Sequence, residues 1–407
     1  MDALTTPSNW QKVRLGDILE LLTDYHANGS YELLKNNVTL LKHVDFAIMI
    51  RTTNFENNDF KNDLIYINKK AYEFLSKSKV FAGDILVNKI ANAGTAYFMP
   101  KLNQPVSLGM NLFLLRIKPN YNNFFIFKQI ANYERVLKTF ANGSATKTIT
   151  KNVIKNLLIP LPPLNEQIAI ANILSDLDRY LYSLDALILK KESVKKALSF
   201  ELLSQRKRLK GFNQAWQKVR LGDVCEFGNG GAYETLIVEN GDFKLISLNS
   251  IDIDGNLKNT MKRVNFYDNS LKQDDIVMVL SDVAHGDFLG LCAVIPSNDY
   301  VLNQRMGRLR KRNDCINVLF LRLYINANQK YFKMQGQGSS QLNLSKKAIE
   351  DFEILLPPLN EQIAIANILS ALDNEITSLK NKKRQFENIK KALNHDLMSA
   401  KIRVLKK

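Results

Sequence analysis

Apolar side chains recur at alternating steps of four and three residues in two stretches of this chain. In the first, Ile170, Leu174, Leu177, Leu181, Leu184 and Ile188 form one seam, and Val194, Leu198 and Leu202 resume it with a shifted phase, as a stutter would produce. In the second, Ile365, Leu369, Leu372, Ile376, Leu379, Phe386, Leu393 and Leu397 hold one seam, interrupted by Lys383 and Lys390. This spacing predicts two long helices, or rods. An amphipathic helix on a globular core would give the same pattern for either stretch alone, but two matched stretches favour mutual pairing. Each rod opens behind Pro162-Pro163 or Pro357-Pro358, which cannot sit inside a helix, with Asn165 or Asn360 as the expected N-cap. Elsewhere the pattern shortens to strand-like runs at 84–87 and 275–279 and to helical stretches near 124–140 and 319–331, so the expected class is α+β.

The chain repeats itself. Residues 161–178 and 356–373 are identical at seventeen of eighteen positions, and the same offset of 195 relates 195–198 to 390–393. A second shared block, WQKVRLGD, starts at Trp10 and again at Trp216. The order is therefore head, rod, head, rod, with expected boundaries at 1–160, 161–210, 211–355 and 356–407. A short joint at 210–216 leads from the far end of the first rod into the second head. The second rod can pair with the first only by running back, which predicts an antiparallel coiled coil in an elongated, pseudo-twofold dumbbell.

Charge narrows the partner. The 407 residues carry a net +16, of which residues 10–160 hold +9 while residues 216–355 are neutral. A positive field spread over folded segments suits a polyanion, most often nucleic acid. No apolar run is long enough for a bilayer span and the N-terminus has no export signal, so the expectation is a soluble, cytoplasmic protein without a membrane partner. Cys225, Cys292 and Cys315 have no metal-ligand spacing, and His26, His43, His285 and His395 are too scattered for a metal site. Catalytic motifs are missing too. The Pro-Pro pairs are flanked by leucines rather than by the polar and aromatic residues of an amino-methyltransferase, and there is no phosphate-binding loop. The glycine-rich 227–231 departs from the dinucleotide fingerprint, and Asp59-Phe-Lys61 and Asp242-Phe-Lys244 are too short to mark a nuclease. No catalytic residue and no metal ligand is expected.

The two LPPLNEQIAIANILSxLD blocks, each opening a long helix behind a divergent domain, resemble the specificity subunit of type I restriction-modification systems over the whole chain. Each head is similar to a target recognition domain, through LGD at 15–17 and 221–223 and Gly83-Asp84-Ile85-Leu86 with Asp274-Asp275-Ile276-Val277, and the first head also carries DYHANGSYELLKNNV at 24–38, similar to a recurring variety of that domain. The resemblance implies a non-catalytic subunit in which each head reads one half of a split, asymmetric double-stranded DNA site. It further implies that the rods set the gap and dock two modification (methyltransferase) subunits, and that restriction (translocase/endonuclease) subunits join them. The chain itself would carry no cofactor, with S-adenosylmethionine, ATP and magnesium on the partners. A bivalent DNA-binding regulator without enzyme partners remains the alternative, as does a stand-alone methyltransferase or nuclease.

Base reading needs polar side chains and phosphate contact needs cations. In the first head Asn88, Lys89, Asn92, Ser144, Thr146 and Lys147 qualify; in the second Ser281, His285, Ser340, Gln341 and Asn343, with the run Arg305, Arg308, Arg310 and Arg312. Each could equally be a solvated loop residue or a cap, although for the arginine run phosphate contact is the preferred reading. For partner docking the candidates are Pro162, Pro163, Asn165, Glu166 and Gln167, with Pro357, Pro358, Asn360, Glu361 and Gln362, because near-identical blocks suit one repeated partner.

Overall fold

The computed structural model describes residues 9–141, 148–283 and 286–404. The chain divides into two compact units, Met1–Leu184 with Lys382–Lys407, and Asp185–Asn381. Each unit thus holds one head, the start of the rod that follows it, and the end of the other rod.

The first head is built on an antiparallel sheet whose strands run in the order Leu19–Asp24, Leu112–Ile117, Ile85–Asn88 and Ala96–Phe98. A second sheet orders Tyr66–Ile67, Ala47–Ile50, Val106–Leu108 and Lys79–Val80, with its two central strands parallel. The second head repeats the plan. Cys225–Asn229, Met306–Lys311, Ile276–Val279 and Cys292–Val294 form the antiparallel sheet. Arg263–Val264, Phe243–Ile246 and Tyr300–Leu302 form a smaller companion, again with a parallel pair. Helices Asn123–Asn132 and Val318–Ala327, which overlap the stretches expected to be helical, cap these sheets and bury Phe125 and Phe320 completely. Burial of such a ring contributes about 1.5–3 kcal/mol.

One polar pair and one glycine recur in both heads. Asp84 takes both nitrogens of Arg116 from the central strand, at 2.9 and 2.8 Å, and Asp275 takes both of Arg310, at 2.8 and 2.7 Å. Gly94 and Gly290 follow the same strand with φ of +94° and +78°, where a side chain would run into Leu137 or Phe332. Their equivalence fixes the structural alignment of the heads.

The rods are the helices Leu164–Leu203 and Leu359–Met398. They begin one residue ahead of Asn165 and Asn360. The carbonyls of Pro163 and Pro358 accept from Glu166 and Gln167, or from Glu361 and Gln362, so the second proline is the last residue outside the helix. Asn165 turns instead to the adjoining Glu166 amide at 2.9 Å. Both helices end in matched left-handed residues two positions on, Gln205 and Ala400.

Within each unit the rod segments pair antiparallel. In the first, Tyr180 packs on Phe386 and Lys390 meets Asp178. In the second, Lys191 meets Glu375 at 2.8 Å, Lys195 meets Asp373, and Lys380 meets Glu192 at 2.7 Å. The seam positions Ile170, Leu174, Leu181, Leu184, Ile188, Ile365, Leu369, Ile376 and Leu397 are buried. That seam stabilises the pairing. The flanking ion pairs are partly exposed, and such pairs contribute about 0–1 kcal/mol each.

Candidate DNA interface

The shared block lies only partly open on the rods. Glu166 and Glu361 are 2% and 0% exposed. Glu361 accepts both nitrogens of Arg208, at 3.1 and 2.5 Å, and the indole N–H of Trp216 at 3.0 Å. Glu166 does the same with Arg403, at 2.7 and 3.0 Å, and with Trp10 at 3.3 Å. Each carboxylate therefore ties the first strand of its head to the tail that follows the other rod. Gln167 and Gln362 are also buried: their carbonyls accept from Asn122 and Asn317 at 2.9 and 2.8 Å, and their amides donate to Pro162 and Pro357, both at 2.8 Å. These four side chains, expected on a docking surface, are spent inside each unit, and Pro162 and Pro357 are buried with them. Pro163, Asn165 and Asn360 remain accessible beside the exposed apolar residues Leu164, Ile168 and Ile363.

Of the candidate DNA contacts in the first head, Ser144, Thr146 and Lys147 lie outside the described residues. Asn92 is exposed on the turn after strand Ile85–Asn88. Asn88 is buried, and its side chain accepts from the Ile90 amide within that turn. Lys89 is 9% exposed and 3.4 Å from Asp24, which also holds Lys151 at 3.1 Å. Burial disfavours charge on Asp24, but the Lys151 hydrogen bond and the Lys89 charge outweigh it and hold the carboxyl below its ordinary range. Asn88 and Lys89 are thus both engaged around the turn that presents Asn92.

In the second head His285 lies outside the described residues. The arginine run is split by the strand it sits on. Arg310 is locked to Asp275 as Arg116 is to Asp84, and Arg308, 14% exposed along its side chain, donates to Glu226 at 2.7 Å and to the Ser270 carbonyl at 3.2 Å. Both are held by partners inside the head. Arg312 is exposed and donates to the Gly222 carbonyl at 3.2 Å. Arg305 is exposed at a turn, in left-handed backbone with φ +67°, and its carbonyl holds the Leu280 amide at 3.0 Å.

Strands Ser281–Val283 and Gln341–Asn343 then pair beside this turn, with the Ser281 hydroxyl bonded to Asn343. Arg305, Ser281, Ser340 and Gln341 are brought together around one cavity of about 540 Å³, which also takes in Asn249, Lys258 and Asp282. In the first head one bridge at the equivalent place falls among the described residues, Ile90 with Thr148. The clamp residues Trp10, Trp216, Arg208 and Arg403, and the cavity residues Asn249 and Lys258, were not among the sequence candidates. Arg208 and Arg403 stand 195 apart, the repeat offset, and that was the available signal.

Among the described residues no group of three or more His, Cys, Asp or Glu is placed to hold a metal ion, and no helix is long and apolar enough to cross a membrane. Two heads with matched frames and different polar turns, each clamped to paired rods, define a bivalent recognition scaffold. The family described as type I restriction modification DNA specificity domain matches residues 7–191 and 213–388. The chain belongs to this family, with two copies of the domain. It is 28% identical over 437 residues to the type I restriction enzyme MjaVIII specificity subunit of Methanocaldococcus jannaschii, covering 99% of this chain and 95% of that one. Its fold is similar to the crystal structure of the S subunit of a type I restriction-modification system from M. genitalium, with a TM-score of 0.63 at 19% identity and 97% of both chains covered.

Proposed function

We propose that each head reads one half of a split, asymmetric duplex DNA sequence, and that the rods dock two modification subunits, to which restriction subunits are added. The observation that carries this reading is the swapped clamp. Glu166–Arg403 and Glu361–Arg208 build two like frames from one chain, so two copies of one partner meet equivalent surfaces while the heads above them differ. Docking falls to the accessible companions of the clamp, Pro163, Leu164, Asn165 and Ile168 on one rod and Asn360 and Ile363 on the other. The chemistry belongs to the partners, which carry S-adenosylmethionine, ATP and magnesium. The purified chain should transfer no methyl group, whereas its complex with the modification subunit should methylate a motif of two unlike halves separated by unread bases. Methyl transfer by the chain alone, or an uninterrupted symmetric motif mapped in host DNA, would reject the reading.

In the second head the DNA contacts are assigned to the cavity of Arg305, Lys258, Asn249, Ser340 and Gln341, with Arg312 outside it. Arg305→Ala removes a cation from the rim without breaking an internal pair. Binding should weaken across all sequences, and the slope of log K against log salt should flatten by about one unit. An unchanged slope would move phosphate contact elsewhere.

A further inference from the structure

The two heads also differ on the face built by helices Gln329–Gln335 and Lys346–Glu350 in the second and by Glu134–Thr139 and Lys151–Lys155 in the first. In the second head Tyr331, on helix Gln329–Gln335, reaches across to helix Lys346–Glu350, its ring against Phe352 at 4.8 Å and its hydroxyl donating to the Ala348 carbonyl at 3.0 Å. Beside it the strand Gln217–Arg220 carries Lys218, paired with Glu353 at 2.6 Å, and Arg220, paired with Asp351 at 3.7 Å. This surface satisfies itself with one ring and two carboxylates.

In the first head none of those groups stands at the equivalent position, and the nearest tyrosine, Tyr133, lines the groove without filling it. The offset of 195 places Val136 where Tyr331 stands, Asn156 for Asp351 and Leu158 for Glu353. The structural equivalence is independent of that count, because Leu137 and Phe332 back Gly94 and Gly290, and the Leu15 and Leu221 amides bond to Leu157 and Phe352. The result is an open apolar groove of about 430 Å³ between helices Glu134–Thr139 and Lys151–Lys155. Its rim leaves Phe140 52% and Leu158 53% exposed. On the adjoining strand Arg14 stands opposite Leu158 and Lys12 opposite Pro160, both exposed and, among the described residues, without an ion pair.

We propose that this groove docks a partner protein through an aromatic side chain flanked by carboxylates, one copy per chain. The occupant supplies from outside what the second head carries itself: the ring fills the space of Tyr331, its hydroxyl meets the Val153 carbonyl as Tyr331 meets Ala348, and its acids pair with Arg14 and Lys12. Duplex DNA keeps its rings in the stack and offers none to an apolar floor. The surface exists on one head only, so it makes the two heads inequivalent and sets a stoichiometry of one where the rods set two.

A fluorescent peptide with one tyrosine between two pairs of glutamates tests this on the full-length chain by anisotropy. It should bind saturably at one site. Replacing its tyrosine with alanine or its glutamates with lysines should weaken binding at least about tenfold, as should Val136→Tyr, which fills the groove from within, and Arg14→Glu. Val136→Tyr should also melt no lower than the parent chain; if it fails to fold, Arg14→Glu at the surface still decides. Absence of saturable binding, equal binding by folded Val136→Tyr or by Arg14→Glu, or displacement of the peptide by a short DNA duplex each overturns the proposal, the last by assigning the surface to nucleic acid.

Discussion

Glu361→Ala should unfold the second unit at markedly lower denaturant while leaving the first almost unchanged. The substitution strands the Arg208 guanidinium and the Trp216 N–H, which share this one carboxylate. Truncating one member of a buried, hydrogen-bonded charge pair costs about 3–5 kcal/mol, and since the Arg208 side chain keeps 23% of its exposure, water recovers part of that, leaving about 2–4 kcal/mol. The chain has two tryptophans, one in each clamp, so fluorescence reports each unit separately. In a Trp10→Phe background the emission follows Trp216 alone, and its urea midpoint should fall with Glu361→Ala. Glu166→Ala should do the converse in a Trp216→Phe background. Equal loss in both units from either change would mean that the clamps do not act locally. The same variants separate docking from stability: any loss of partner binding should track the unfolding of a clamp, since neither carboxylate faces outward.

The rods and the repeat were legible in the sequence because their signal is periodic. A seam at steps of four and three has one structural reading once it occurs twice, and two prolines fix where each helix can start. The antiparallel direction followed from the short joint at 210–216, and the pairs Lys195–Asp373 and Lys390–Asp178 realise it within each unit. What stayed hidden is the grouping into units. The tails after each rod look like loose basic ends, yet Arg208 and Arg403 insert into the clamps, and no hydrophobic period marks a single buried ion pair.

The candidate site was less legible, for a physical reason. Lys89, Arg308 and Arg310 have the residue type of a phosphate contact, but type does not say which way a strand turns a side chain. Alternation on Met306–Lys311 sends Arg308 and Arg310 towards Ser270, with Asp275 and Glu226 as their carboxylate partners. The Asp-Ile pair at 84–85 and 275–276 contained the warning, because each aspartate needs an arginine on the neighbouring strand. Arg305 escapes that fate because it lies on the turn. The near identity of the shared blocks suggested a surface read by a common partner, whereas much of that identity is enforced from within, by two clamps with the same internal geometry.

Lengthening both rods by one heptad should shift the spacing of the recognised motif, and lengthening them by three should restore binding that one heptad weakens. The inserts belong after Leu184 and after Asn381, between the pairs Tyr180–Phe386 and Lys191–Glu375, so that both helices grow at facing positions and the apolar seam stays in phase. Seven residues add about 10 Å of helix, or about three base pairs at roughly 3.4 Å each. Three base pairs also turn the second half-site by about 100° around the duplex, given roughly 10 base pairs per turn, so this variant should bind poorly. Twenty-one residues add about 31 Å, or about nine base pairs, which returns the half-site to nearly the same face. Methylated motifs mapped for the three-heptad protein should keep both halves unchanged and show a gap longer by about nine base pairs. If that protein methylates at the parental gap, with both inserts confirmed by mass, the rods do not set the spacing. If it is folded and docked to its modification subunits but recovers no binding over the one-heptad protein, the helices are not a rigid ruler.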